Sequence, residues 1–519
     1  MELIQVIENF HPVNDAKLLD RAKELEPVLY HRIVSPVGGF QLKGDCSLHR
    51  EDIVLSELPN ITLGKDKNIC LDFGTHCVGY LTLDLSYSGS HPDAPAYLEL
   101  KFAERPEELT EDAEEYEGWV SKSWIQEERV HVDEIPAQIS LPRRYAFRYL
   151  KIRVIDTSPK YKLIVRGAEC RTETSADMSL IRPAATGDAL TDRIYAVSVK
   201  TLADCMQSVF EDGPKRDRRL WVGDFRLQAL TNYVSFDHRD LVKRCLYLFA
   251  GSRFPDGRVS ACVFTRPDVM ADDTWFFDYS LLYVVALEEY LQHTQDKEAF
   301  NDLYDIAMRQ LEVSLNMCDE NHVIKQDAVR DTFIDWCDGL DKTVCAQAVL
   351  IYALHYARKL AQRKDDLSHA DFFAEQIEKK KEAALTYFWD SKRGYFVSNG
   401  QASIASQVWM VLAGVLAPEQ EKELMKRCKE LANDYPMVSP YMHHYYLSAL
   451  IRAGLMEEAM SHMKMYWGGM IQAGADTFWE TWNPINPTES PYGDNSINSY
   501  CHAWSCTPAY LLRTYFLKE

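Results

Sequence analysis

The sequence predicts a multidomain β + α protein, an antiparallel β-sandwich over residues 1–177 followed by a barrel of helical hairpins over residues 178–519. Three observations carry that prediction. At 519 residues the chain is too long for one ordinary core. Apolar residues recur at every second position up to about Ser175 and with helical spacing after it. In the second part, short and long links alternate between helical segments, as they do in an array of antiparallel hairpins.

The first thirty residues are too mixed to assign. From about residue 30 the pattern is strand-like: Leu81, Leu83 and Leu85 alternate with Thr82, Asp84 and Ser86, and Leu98, Leu100 and Phe102 with Glu99 and Lys101. Leu150, Ile152 and Val154 alternate with Lys151 and Arg153 in the same way. Period two between turn-rich gaps marks half-buried antiparallel strands. The Glu-rich run from Glu104 to Glu117, interrupted by Pro106, reads as a solvated loop, with a weaker reading as a screen at a site entrance.

Helical segments begin near residues 189, 224, 239, 275, 297, 341, 366, 402, 418, 440, 455 and 498. The spacing of Ala370, Phe373, Ile377, Ala384, Leu385 and Phe388 illustrates the pattern. Twelve helices make six hairpins, and six hairpins joined in sequence can close into a double-layered barrel. Links after even-numbered helices are short, around 236–239, 294–297, 363–367, 417–419 and 453–455. Links after odd-numbered helices are mostly long: 209–223, 252–274, 318–340 and 474–497. Alternate links of a hairpin array lie on opposite rims, so the four long ones should gather on one face.

Those long links hold the notable chemistry. The first carries Asp212-Gly-Pro-Lys-Arg-Asp-Arg-Arg-Leu-Trp-Val-Gly-Asp224, in which Asp212, Asp217 and Asp224 crowd together with Arg216 and Trp221. Like charges this close repel, which raises the pKa of one carboxyl while its neighbours stay ionised and suits acid catalysis. A solvated charged turn is the alternative. The second link ends Ala271-Asp-Asp-Thr-Trp275, the third holds Phe333-Ile-Asp335-Trp336, and the fourth starts Thr477-Phe-Trp-Glu480-Thr-Trp482. Carboxylates beside aromatic rings match a sugar, which presents hydroxyls around its edge and C–H bonds on its faces. Glu480, between Trp479 and Trp482, is the candidate base on the far link, against the alternative of a Glu paired with a local Arg.

Other functions are less well served. A formal net charge of −21 repels phosphate backbones and anionic lipid, so neither nucleic acid nor membrane is an expected partner. The amino-terminal decapeptide lacks the pattern of a signal peptide, and thirteen cysteines without a CxxC pair suit a reducing, cytoplasmic compartment. No metal, dinucleotide or nucleotide motif is present, so no cofactor is expected. His443 and His444 would tempt a metal assignment, but adjacent helical residues point about 100° apart, so one should face the core and the other solvent.

Asp212-Gly-Pro-Lys-Arg-Asp217 with Gly223-Asp224, Phe333-Ile-Asp-Trp336, Thr477-Phe-Trp-Glu-Thr-Trp482 and Tyr500-Cys-His-Ala-Trp504 together resemble the bacterial α-L-rhamnosidases of glycoside hydrolase family 78, especially compact two-domain members. The resemblance implies a β-sandwich preceding an (α/α)6 barrel, single-displacement inversion without a cofactor, and a small rhamnoside as substrate. It implies that Asp217 falls on the general acid and Glu480 on the general base. Asp212 and Asp224 match carboxylates that hold sugar hydroxyls, Arg216 accompanies them, and Trp275, Trp336 and His502 match sugar-contacting positions. Thr481 stands where many relatives carry Arg. A homodimer fits the compact relatives. Phosphorolysis, or sugar binding without turnover, is the competing reading of the same architecture.

Overall fold

A computed structural model describes residues 10–42, 50–432, 434–487 and 489–517. Most of the amino-terminal decapeptide and Cys46 therefore lie outside the described residues. The segment left unassigned by the sequence contains a helix, α1 (Ala16–Glu24), capped by the Asp15 side chain and packed on a later helix through Leu19, which lies against Gly251.

Nine antiparallel strands follow: β1 (Tyr30–Val34), β2 (Gly38–Leu42), β3 (Arg50–Ile53), β4 (Asn68–Gly89), β5 (Ala96–Ala103), β6 (Glu127–Val132), β7 (Ala137–Ser140), β8 (Tyr145–Asp156) and β9 (Tyr161–Thr174). The long strand β4 organises them. Its first half pairs with β2 and β8, and its second half with β7 and β9. Beyond β8 the ladder continues through β5 to β6, and beyond β9 to β1. Side chains from both halves share one apolar core: Ile69 and Leu71 with Leu98 and Leu150 from one set, and Leu81, Leu83 and Leu85 with Leu163 and Val165 from the other. The period-two apolar residues read from the sequence are buried, as alternate pointing of strand side chains requires, but Glu99 and Lys101 between them are buried as well, Glu99 on Arg153 and Lys101 on the Glu111 carbonyl.

The Glu104–Glu117 run differs from its reading as a solvated loop. Pro106–Thr110 is a 3-10 turn, and Glu104 and Glu108 are buried. Buried carboxylates need partners. Glu108 is salt-bridged to Lys215, and Glu104 accepts from the Tyr500 amide at 2.6 Å and contacts His76 at 3.0 Å. Burial raises the Glu108 carboxyl against the opposing Lys215 cation.

The helical part comprises α2 (Ala189–Cys205), α3 (Val222–Tyr233), α4 (Arg239–Gly251), α5 (Phe277–Thr294), α6 (Lys297–Asn316), α7 (Gln326–Arg330), α8 (Thr343–Arg363), α9 (Leu367–Tyr387), α10 (Ile404–Leu412), α11 (Pro418–Arg427), α12 (Pro440–Arg452), α13 (Met456–Gln472) and α14 (Pro508–Leu511). Side-chain caps from Asp188, Asp296, Asp366, Ser403 and Ser439 fix the starts of α2, α6, α9, α10 and α12 by accepting an otherwise orphan amide. Helices α3, α5, α8, α10 and α12 contact one another in succession, and the 3-10 turn Ala503–Ser505 closes the circuit from α12 back to α3. Helices in this circuit are buried on nearly every face, whereas α9 outside it buries one stripe, including Ala370, Phe373, Ile377 and Ala384.

The twelfth helix does not begin near 498. Residues 498–502 are drawn into hydrogen bonds with the link after α13, through Glu480 N to Ser499 O and His502 N to Phe478 O, so no helix forms until Pro508 starts α14. His443 and His444 are both buried, contrary to the expected split, because α12 belongs to the enclosed circuit. Burial holds both imidazoles well below their ordinary value, and His443 Nδ1 lies 2.7 Å from His462 Nε2. Among the described residues, no helix is long and apolar enough to cross a membrane.

Candidate active site

Residues from all four long links line one cavity of ≈ 340 Å³, the scale of a small-ligand site. The loop between α2 and α3 forms its acidic wall. Asp212 is buried and folds the loop back on itself: its carboxylate accepts the Arg219 amide at 3.0 Å and the Asp217 amide at 3.4 Å, while its carbonyl accepts the Ala503 amide at 2.7 Å. Gly213 permits this fold, because a Cβ there would lie 2.6 Å from the Arg216 carbonyl and 2.7 Å from Ser499 Oγ. The Arg216–Asp217 peptide is cis, and Arg218 has a left-handed backbone. Asp224 stands in the first turn of α3, where Gly223 lets that helix approach the Tyr279 ring.

Glu480 faces this loop from the link after α13. It is buried, and its two carboxylate oxygens accept from the Arg216 guanidinium and the Tyr492 hydroxyl. The partner is thus not a local Arg but one from the opposite link. The same guanidinium lies 3.8 Å from Asp217 Oδ1, so one cation reaches both candidate catalytic carboxylates. Trp504 Nε1 donates to the Glu480 carbonyl at 3.0 Å, and Glu108, Ser496 O and Asn498 O hold Lys215 beside Arg216, clamping the two links together.

Of the residues singled out in the sequence, Asp212, Arg216, Asp217, Trp221, Asp224, Trp336, Glu480 and His502 line the cavity. Three do not. Trp275, just before α5, is buried and packs beneath the Arg258 guanidinium, 4.7 Å from the ring centroid, while its neighbours Thr274 and Phe276 line the cavity. Asp335 caps α12, accepting Val438 N at 2.8 Å, Ser439 N at 3.1 Å and the Ser439 hydroxyl at 2.5 Å, and burial pushes its carboxyl up to about 6. Trp482 packs edge-on against Trp479 and beside Gly469, away from the cavity.

Sequence reasoning missed Trp119 and Trp124 from the β-rich part, Tyr492 from the fourth link, and the ring-bearing residues Phe276, Tyr279, Phe333 and Trp504. The last four lie inside or beside motifs already singled out. Nothing in the sequence pointed to Trp119, which reaches the site because its amide donates to Tyr492 O at 3.0 Å and the Glu117 amide to Asp494 at 3.2 Å.

Electrostatically the cavity is a nest of carboxylates with Arg216, Arg219 and His502 among them. Burial, and then the neighbouring Asp217, hold Asp212 well above the usual carboxylate range. Burial also raises Asp224, against the opposing His502 cation 3.1 Å away. Burial alone would lower His502, but Glu480, Asp224 and Asp212 push it up to about 9. Since that value lies above the ordinary 6.5, the protonated imidazole contributes stability fully present below pH 6.5 and lost as pH rises through about 9. Thermal melts should therefore show the wild type losing stability across that window more steeply than His502→Asn; parallel curves would refute the charged imidazole. His502 Nδ1 and Trp336 Nε1, both buried on the wall, have no hydrogen-bond partner among the described residues. Unmatched buried polar atoms are costly, and a polyhydroxylated ligand would satisfy them.

One group of potential metal donors, His76, Asp204 and Cys501, occurs among the described residues. Asp204 is already salt-bridged to Lys200, and His76 lies between Asp204 at 2.7 Å and Glu104 at 3.0 Å, so the group forms a self-compensated charge network joining the two parts of the chain.

Residues 47–172 match the glycosyl hydrolase family 78 alpha-rhamnosidase N-terminal domain, and residues 184–516 the bacterial alpha-L-rhamnosidase 6 hairpin glycosidase domain. No curated protein matched. A rhamnosidase from Klebsiella oxytoca, solved with rhamnose bound, is 44% identical over 98% of this chain and 100% of its own, with a TM-score of 0.94. A family 78 rhamnosidase of Bacillus sp. GL1 shares the fold at 22% identity and a TM-score of 0.74, over 90% of this chain but 49% of that one. The chain belongs to glycoside hydrolase family 78, the α-L-rhamnosidases.

Proposed function

We propose that this chain is an inverting α-L-rhamnosidase that hydrolyses terminal non-reducing α-L-rhamnosyl residues from small rhamnosides, with Asp217 as general acid and Glu480 as general base. The observation that carries the reading is the pair of carboxylates from opposite links, both lining the cavity and both within reach of the Arg216 guanidinium. Rhamnose in the 44%-identical Klebsiella oxytoca protein supports the choice of sugar. The closed circuit of helices is read as an (α/α)6 barrel, the two sets of strands around β4 as a β-sandwich, and residues 177 and 178 as the boundary between them.

Among the three acidic residues of the first link, Asp217 suits proton donation because its carboxyl is least engaged. Asp212 spends its oxygens on backbone amides and Asp224 faces the His502 cation, whereas the Asp217 side chain is 19% exposed. Asp217 gives its proton to the glycosidic oxygen as the bond from that oxygen to the anomeric carbon breaks. Glu480 takes a proton from a water that attacks the same carbon from the opposite face. An ionised carboxylate offers about four acceptor sites, so Glu480 can hold that water while bonded to Arg216 and Tyr492. Asp212 and Asp224, with His502 and Trp336, would grip the sugar hydroxyls. Twelve described cysteines, none in a disulfide, are consistent with a reducing, cytoplasmic setting.

The anomer released first from an aryl α-L-rhamnoside, followed by proton NMR from the earliest time points, tests the reading. β-L-Rhamnose is expected. Early α-L-rhamnose would keep the sugar but reject the single displacement, and a rate that depends on added phosphate would replace water by phosphate as acceptor.

A further inference from the structure

The strap that follows β5, Glu104-Arg105-Pro106-Glu107-Glu108, belongs to the β-rich part yet grips both links that carry the proposed acid and base. None of its residues lines the cavity. Glu108 accepts the Glu104 and Arg105 amides on one carboxylate oxygen, at 2.7 and 2.9 Å, and the Lys215 ammonium on the other. Lys215 also donates to Ser496 O at 3.3 Å and Asn498 O at 2.9 Å, which uses all three of its donors. Arg216, next along the chain, gives its Nε to the carbonyl between those two, Ile497 O at 3.1 Å, and a terminal nitrogen to Glu480. Glu104 accepts the Tyr500 amide at 2.6 Å, and the Arg105 guanidinium lies over the Trp479 and Tyr500 rings, 4.5 and 5.1 Å from their centroids. The strap thus holds Lys215, two residues before Asp217, together with the residues on either side of Glu480.

We propose that Glu108 is a positioning residue for the reaction, setting through Lys215 the separation of Asp217 from Glu480, and that the β-rich part is therefore a working part of the active site. This rests on the rhamnosidase reading. Glu104, Glu108 and Lys215 are buried, and a buried ion pair adds little stability over an apolar contact of the same shape. What it fixes is geometry. Inversion needs room for one water between the two carboxyls, about 6.5–9.5 Å of separation, and a misplacement of about 1 Å can cost on the order of 10²-fold in rate. Without the Glu108 charge, the Lys215 ammonium would be drawn toward Glu104, 4.0 Å away, and the backbone of Arg216 and Asp217 with it. Asp224 stands on α3 and His502 pairs with it, so their grip on the sugar does not pass through Lys215.

The test compares wild type with Glu108→Gln and with the double variant Glu108→Gln, Lys215→Met on an aryl α-L-rhamnoside, with kcat referred to the protein that binds rhamnose. Glu108→Gln keeps an acceptor for the two amides and removes the charge. It should melt below wild type and lose about 10- to 100-fold in kcat, with KM and the inhibition constant of free rhamnose changed less than about twofold. The double variant removes the ammonium left without its counterion, so it should regain most of the melting temperature and none of the kcat. A double variant whose kcat returns with its melting temperature would reduce Glu108 to a structural role and overturn the proposal. Wild-type kcat in Glu108→Gln would overturn it too. A rise in KM and in the rhamnose inhibition constant at constant kcat, or loss of rhamnose binding in both variants, would do the same by moving the effect of the strap to the sugar site. Wild type that frees no rhamnose would sink the rhamnosidase reading itself, before any variant is compared.

Discussion

Glu480→Gln should lower turnover by about 10²- to 10⁴-fold on aryl and alkyl rhamnosides alike. The base acts on water, so its loss is felt whatever the quality of the leaving group. The substitution keeps the shape of the side chain and one acceptor oxygen, but removes the charge that Arg216 and Tyr492 are arranged around. Burial makes that charge matter: with water excluded, the Arg216 cation and the Glu480 anion compensate one another, and an amide leaves the guanidinium with Asp217, the Ile497 carbonyl and the Tyr492 ring, none of them a full replacement for that ion pair. Some of the variant's loss will therefore be stability, and rhamnose binding separates the two effects. A variant that still binds rhamnose but turns over slowly supports the base; near-normal turnover removes Glu480 from that role.

Much of the architecture that creates this site is legible in the sequence, because the signals are periodic. Alternation at Leu81, Leu83 and Leu85 gives buried strand positions, and the alternation of short with long links correctly gathers four distant segments at one cavity. Individual site residues are less legible, since proximity to a motif does not reveal which way a side chain points. Trp275 illustrates this: the residues on either side of it line the cavity, whereas its own ring lies under Arg258. Asp335 looked like a ligand to sugar and serves the start of α12 instead, a role visible only once Val438 and Ser439 are known to lie beside it. Nor could composition separate solvated from buried acid in the Glu104–Glu117 run, where Lys215 and His76, both remote in sequence, decide the outcome. Trp119 was out of reach for the same reason. Its contacts with Pro491 and Tyr492 are long-range pairings that no local pattern encodes.

Asp217→Asn should depress turnover by about 10²- to 10⁴-fold for poor leaving groups and far less for an activated aryl group. The distinction follows from what the acid does. A leaving alkoxide must be protonated as the bond breaks, whereas a stable phenolate departs unaided. A series of aryl rhamnosides graded by the acidity of the phenol should accordingly give a steeper dependence of kcat/KM on phenol pKa in the variant than in wild type. The neighbouring carboxyls supply the control. Burial, and then Asp217, hold the Asp212 carboxyl well above the usual carboxylate range, so Asp217→Asn should bring it part of the way down. Asp212→Asn should then impair turnover uniformly across the series, through loss of the amide contacts that shape the loop, without steepening the slope. If the steepening instead followed Asp212 and spared Asp217, the donor would be the buried carboxyl, and Asp217 would be left with a role in holding Arg216.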